Sequence, residues 1–312
     1  MPASVSAIPM APHLLIVDDE PDVHAVTRLS LRGLRYRNRE VKLTSASSGA
    51  AAVQIMNAHP DVGVILLDVV METTSAGLDA CRAIREELGN RFVRILLRTG
   101  QPGAAPEKQT IDEFDIDGYL PKAELTTNRL YAAVRTALKA WEELVELERH
   151  RELLAAIHDC VVSLRSFEPV ETSLGRILET AVTICPTPLA MLELQSFEKE
   201  GNPRRWFVYL STDPDPTQAR AAASAVAARI AQDPAARVLR EAGRFGEGFL
   251  VPLVLHRELG YGWMYLETAT ADSIAEKALP LLAAHAANAL YSSVAQRMLS
   301  AREGSIYETM II

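Results

Sequence analysis

"LLIVDDEPDV", residues 14–23, places two adjacent carboxylates, Asp18 and Asp19, directly behind an apolar run of four residues. An apolar run of that length reads as a strand buried on both faces, the kind that parallel sheets contain. Two acids side by side at its buried end cost several kcal/mol unless something offsets their charge. The stretch therefore predicts a parallel strand and a charge-neutralising group at its C-terminal end.

Working outward, the same kind of run recurs as "VKLTSA" (41–46), "VGVILLD" (62–68), "VRILLRT" (93–99) and "GYL" (118–120), with amphipathic stretches near 21–34, 48–58, 76–88 and 106–114 between them. Continuous apolar strands separated by helices predict a parallel sheet covered on both faces. Five such units give an α/β, flavodoxin-like, doubly wound domain over residues 13–125. Chemistry-bearing residues fall at the strand ends. Asp18 and Asp19 end the first strand, Asp68 the third and Thr99 the fourth, and Lys122 follows the fifth. In an open parallel sheet those ends converge on one crevice. Three carboxylates there repel one another, and a hard divalent cation bound through oxygen removes that cost, so Mg²⁺ is the expected ion. Oxygen ligands beside an ammonium and a hydroxyl suit phosphoryl transfer, with Asp68 as the nucleophile that becomes an acyl phosphate.

Four separated motifs, "IVDDEPDV", "ILLDVVM", "LRTGQ" and "YLPK", occur in this order, and over about residues 12–125 the chain resembles the receiver domain of bacterial response regulators. The resemblance implies Asp18, Asp19 and Asp68, with the Val70 carbonyl, as Mg²⁺ ligands, and Asp68 as phosphoacceptor. It further implies Thr99 as the phosphate-sensing hydroxyl, Lys122 as the phosphate-contacting cation and Tyr119 as the switch aromatic. A sensor histidine kinase or phosphotransfer protein is the implied phosphodonor. Two departures stand out. Met71 is followed by Glu72 rather than proline, and the interval from Asp68 to Gly77 is one residue longer than the family's, which predicts a different loop path. Lys122 precedes Ala123, where the family favours proline.

The rest of the chain has a different texture. Residues 126–165 read as one long helix without Pro or Gly, a connector. Val134, Leu138, Trp141 and Val145 form one apolar stripe on it, and Leu153, Ile157, Cys160 and Leu164 a second, out of register by one residue. Such an offset is what a stutter in a coiled coil looks like, so a homodimer through this helix is expected; the competing reading packs each stripe on its own domain. Residues 166–300 predict an α+β unit: a helix (169–184), strands near 189–197 and 205–211, an Ala-rich helix (215–232), a shorter one (234–242), the hairpin "GFLVPLVLH"/"YGWMYLET", and a closing helix near 272–299. In element order this unit resembles the GAF family. A receiver joined to such a segment resembles regulators that continue into cyclic-di-GMP phosphodiesterases or other output enzymes.

Composition narrows the function classes. Over 312 residues the net charge is −8, which argues against general nucleic-acid or anionic-membrane binding. The three cysteines are scattered and lack CxxC spacing, pointing to a reducing compartment and away from disulfides or zinc. No apolar stretch approaches a membrane span and no helix-turn-helix is recognisable, so a cytoplasmic protein is expected. His158–Asp159 and His150 sit on the connector helix and read as solvated positions. Residues 1–12 read as a disordered lead-in and 301–312 as a tail. Three functions compete: a phosphorylation-controlled regulator signalling to an unknown output partner, a small-molecule sensor with a vestigial receiver, and the regulatory part of a cyclic-dinucleotide enzyme.

Overall fold

The computed structural model describes residues 12–100, 113–164, 168–196, 205–237, 241–255, 260–268 and 275–291. The amphipathic stretch near 106–114, the lead-in, the tail and part of the closing helix fall wholly or largely outside them. The chain divides into two compact units, residues 1–149 and 150–312.

The first unit is built on β1 (His13–Val17), β4 (Lys42–Ala46), β5 (Val62–Asp68), β6 (Arg94–Thr99) and β7 (Gly118–Pro121), after the short pair β2 (Arg35–Tyr36) and β3 (Arg39–Glu40). The five longer strands form one parallel sheet in the order β4-β1-β5-β6-β7, the flavodoxin-like arrangement. The central strands β1 and β5 are buried along their whole length, as their unbroken apolar runs require. Helix α1 (Pro21–Ser30) starts on a proline, which suits a first turn whose N–H groups have no partner. Helix α2 (Gly49–Ala58) starts at Ser48, whose hydroxyl accepts the Ala51 N–H. Helix α3 (Ala76–Arg82) follows β5 and continues as a wider turn through Glu87.

The β2–β3 hairpin has no counterpart in the sequence reading. Two-residue strands are too short to show alternation, and the turn is made by Arg37 and Asn38 at φ of 46° and 63°. Arg37 and Arg39 reach Glu142 at 3.0 and 2.8 Å, and so compensate a carboxylate that is buried under them.

Glu142 belongs to α4 (Thr127–Ser163), the long helix, which has no interruption over 37 residues. Its apolar stripes have a different use from the interchain seam expected of them. Val134 and Leu138 are buried with Leu14, Ile16, Val64 and Leu66 in the first unit, and Trp141 and Val145 are buried as well. Ile157 and Cys160 are buried in the core of the second unit, with Leu153 and Leu164 packed against it. The offset between the stripes is explained by this division, because each need only match its own unit's core. The apolar residues that α4 leaves exposed include Leu147 and Leu154, at 65% and 55%.

The second unit holds a five-stranded antiparallel sheet, ordered β10-β11-β12-β8-β9. Its strands are β8 (Leu189–Ser196), β9 (Arg205–Ser211), β10 (Gly243–Phe245), β11 (Gly248–Val254) and β12 (Gly260–Glu267). Helix α5 (Val170–Ile184) and the helix over 275–291 bury their apolar faces with one side of it. On the other side, Ala223 and Ile230 of α6 (Pro216–Gln232) pack with Met191, Leu250, Trp263 and Tyr265. A four-residue helix, α7 (Pro234–Arg237), follows.

All three cysteines are buried. Burial pushes the Cys81 thiol up to about 12, which leaves it protonated and unreactive. One close approach tests the packing of the first unit directly. A Cβ on Gly63 in β5 would lie 2.6 Å from the Trp141 ring. Gly63→Ala is expected to destabilise the protein by about 1–3 kcal/mol through overpacking, read from urea unfolding followed by tryptophan fluorescence.

Candidate functional site

The crevice lies where the ends of β1, β5 and β6 and the turn after β7 meet. Asp18 leaves β1 fully buried and Asp68 ends β5 nearly so, while Asp19 and Glu20 are exposed. Lys122 opens a short 3₁₀ turn directly behind β7, and its ammonium joins the two buried acids: Nζ lies 2.8 Å from Asp68 Oδ2 and 3.1 Å from Asp18 Oδ2. The alanine after Lys122 therefore leaves the lysine reaching the acids. Among the described residues every peptide bond is trans. Asp18 Oδ1 accepts the Glu20 N–H at 3.1 Å, and Asp68 Oδ1 accepts the Val69 N–H at 3.0 Å.

Arg98 completes the cluster, and the sequence reading passed over it. It is 2% exposed, donates from Nη2 to Asp18 Oδ2 at 3.1 Å and from Nη1 to the Thr27 hydroxyl at 2.8 Å. A signal existed: Arg98 stands at the end of an apolar run, and a charge buried there needs a counter-ion. His24 adds a further tie, its Nε2 donating to the Asp18 carbonyl at 2.7 Å.

Thr99 is buried at the end of β6, in register with Pro121, and Tyr119 is half-buried against the core beneath the crevice. Val70 is half-buried in the loop after Asp68. That loop, lengthened in the sequence, turns through a Met71 N–H to Thr73 carbonyl bond and sends Glu72 to the first N–H of α2, on Gly49, at 3.0 Å. It returns beside the strand so tightly that a Cβ on Gly77 would lie 2.0 Å from the Asp68 carbonyl oxygen. Close approach, rather than an unusual φ, makes glycine necessary there.

The donor chemistry fits a hard cation. Asp18, Asp19 and Glu20 can each offer an oxygen with all three within 4.8 Å of one another. Glu20 is an addition to the ligands read from the sequence. Asp68 is instead held by Lys122 and Val69.

The electrostatics follow from burial. Burial pushes the Asp68 carboxyl above the ordinary aspartate range, opposed by the hydrogen bond and charge of Lys122 and helped by the Asp18 charge. Burial also disfavours the Lys122 ammonium, but its bonds and charge pairing with Asp68, then Asp18, outweigh that and hold it above the usual lysine value.

The second unit contains a cavity of about 430 Å³ over the open end of its sheet. Two cross-strand rows form its floor: Glu193, Trp263 and Pro252, then Arg205, Gln195, Tyr261 and Val254. Glu193 is buried and accepts from Arg205 at 2.8 Å and from Gln195 at 2.6 Å, and the Tyr261 hydroxyl donates to Gln195 at 2.8 Å.

Residues 14–135 match the family described as the response regulator receiver domain, and the first unit is a receiver domain of that family. A curated relative, the 3'3'-cGAMP-specific phosphodiesterase 2 of Vibrio cholerae serotype O1, is 39% identical over 171 residues, which are 55% of this chain and 33% of the relative. The matched portion thus spans about a third of that relative's length. Similar solved structures include the receiver domain of an HD domain-containing protein from Pseudomonas fluorescens Pf-5, 22% identical, covering 43% of this chain and 98% of that one with a TM-score of 0.37. Another is the receiver domain of a LuxO repressor protein from Vibrio parahaemolyticus, 19% identical, covering 44% and 98% with a TM-score of 0.38. Among the described residues no helix is long and apolar enough to cross a membrane.

The raised Asp68 value makes a signed prediction for metal-free protein. A carboxyl that is harder to ionise when folded binds more protons in the native state, so its effect on stability worsens as pH rises from the ordinary aspartate range through the folded value. Asp68→Asn removes the titration. In EDTA its stability relative to wild type should rise with pH across that window and be flat below it, measured by urea unfolding at several pH values.

Proposed function

We propose that this chain is a phosphorylation-controlled response regulator whose intrinsic chemistry is phosphoryl transfer to Asp68. The observation that carries the reading is the Lys122 ammonium, held 2.8 Å from Asp68 and 3.1 Å from Asp18 at converging strand ends. An Asp68 carboxylate oxygen attacks phosphorus, the bond to the donor's leaving group breaks, and an acyl phosphate remains until water hydrolyses it. Lys122 offsets the charge that develops on the phosphoryl oxygens, and the Thr99 hydroxyl bonds the added group. Asp18, Asp19, Asp68 and the Val70 carbonyl, joined by Glu20, would hold Mg²⁺, which supplies charge neutralisation when bound. A sensor histidine kinase or phosphotransfer protein is the donor, and Tyr119 carries the change away from the site as Thr99 moves toward the phosphate.

The second unit is read as a GAF-like module, supported by its antiparallel sheet with helices on both sides, and the cavity over Glu193, Gln195 and Tyr261 is where such a module would take a small molecule. A second reading of the output is favoured by the 39% identical relative: these residues serve as the regulatory part of a cyclic-dinucleotide phosphodiesterase. Both readings place the receiver upstream of the output.

Incubation with a small phosphodonor and Mg²⁺ should add one phosphoryl group by intact mass, and Asp68→Asn should abolish it. Wild-type labelling in the variant, or in EDTA, would reject the assignment. A homodimer through α4 also belongs to this reading, using the exposed Leu147 and Leu154, seven residues apart, rather than the buried stripes. Leu147→Asp with Leu154→Asp should give a monomer by light scattering that still takes phosphate. A wild-type protein that is monomeric at high concentration, phosphorylated or not, removes the dimer.

A further inference from the structure

The buried charges of the crevice balance without any metal. Asp18 and Asp68 face the two cations Arg98 and Lys122, all four in one cluster. The two cations differ in freedom. Lys122 is about a quarter exposed and also lies 3.8 Å from Glu20, at the mouth of the site. Arg98 is enclosed: it stands on β6, between β5 and β7, and is tied to Asp18 and Thr27, and its Nε has no hydrogen-bond partner. Lys122 can swing toward solvent when a ligand arrives. Arg98 has nowhere to go.

We infer that Arg98 is a positioning residue that sets the affinity of this crevice for its divalent cation, by fixing Asp18 and by standing as a permanent positive charge beside it. The inference rests on the Mg²⁺-dependent reading above. Two effects oppose each other. Arg98 orients the Asp18 carboxylate, which favours metal binding, and repels a doubly charged ion, which disfavours it. Orientation is supplied redundantly, since Asp18 Oδ1 accepts the Glu20 N–H and the Asp18 carbonyl accepts from His24. Repulsion is not redundant, because the guanidinium is fixed and shielded from water, where charge acts most strongly. Repulsion therefore decides the sign, and the site binds Mg²⁺ more weakly than its acids alone would.

The test is Mg²⁺ titration of the intact protein, followed by fluorescence and calorimetry. Arg98→Met should tighten the dissociation constant at least about fivefold, whereas Arg98→Lys, which keeps the charge, should stay within about twofold of wild type. Phosphoryl uptake from a small donor should reach half its maximum at a correspondingly lower Mg²⁺ concentration, with the rate at saturating Mg²⁺ nearly unchanged. A merely structural role would weaken Mg²⁺ binding and lower that rate together. If Arg98→Met does not fold, Arg98→Gln, which retains hydrogen-bonding groups, carries the same expectation. Wild type supplies a measurement free of substitution: because the metal-free cluster is balanced, millimolar Mg²⁺ should raise its Tm by less than about 3 °C over EDTA. A larger rise, or unchanged or weaker Mg²⁺ binding in a folded neutral variant, overturns the inference. Wild type that binds no Mg²⁺ and takes no phosphoryl group removes the underlying reading, and the inference with it.

Discussion

The constraint on which the first unit depends is the cost of holding Asp18 and Asp68 out of water. A buried carboxylate without a partner is a penalty of several kcal/mol, comparable with the whole stability of many domains. The fold meets it by bringing two cations from distant points of the chain, Arg98 from β6 and Lys122 from the turn after β7, to within 3.1 Å of the same Asp18 oxygen. That convergence follows from the order β4-β1-β5-β6-β7, which sets β1, β5, β6 and β7 side by side with all their C-terminal ends at one edge. Charge balance and sheet topology are therefore one requirement seen at two scales.

Much of this was legible in the sequence because its signals are redundant. Each long parallel strand is an apolar run, each run ends near a polar or charged residue, and the residues meet because parallel strands end together. What the sequence hid was local or unordered. The β2–β3 hairpin has strands of two residues, below any periodicity, and rests on positive φ values at Arg37 and Asn38. The strand β10, of three residues, ends at a turn through Gly246 at φ 57° and escaped for the same reason. Arg98 was written in the motif "VRILLRT" yet reads there as one more strand residue, since the sequence does not say that its side chain meets Asp18 and Thr27.

The long helix teaches a different lesson. Its two apolar stripes have the spacing of a coiled-coil seam, and spacing alone does not name what covers a stripe. Val134 and Leu138 complete the receiver core, and Ile157 and Cys160 that of the second unit. A helix that serves two cores carries two stripes, with no need for them to agree. The glycine at position 63, which lets the Trp141 ring lie against the β5 backbone, marks how closely the first stripe is fitted.

A balanced cluster also decides what a phosphoryl group on Asp68 would do. The group replaces a carboxylate of charge near −1 with an acyl phosphate carrying about one more negative charge, with oxygens that bond more strongly. Arg98 cannot move to meet the change, since it is enclosed and committed to Asp18 and Thr27. On the proposed reading the adjustment falls to the half-buried Lys122 and to the exposed Asp19 and Glu20 at the mouth of the crevice. Lys122 lies in the turn that joins β7, with Tyr119, to the start of α4. Arg98 ties β6 to Asp18 at the end of β1 and to Thr27 of α1, so the cation at the mouth of the crevice, Lys122, is the one with room to adjust.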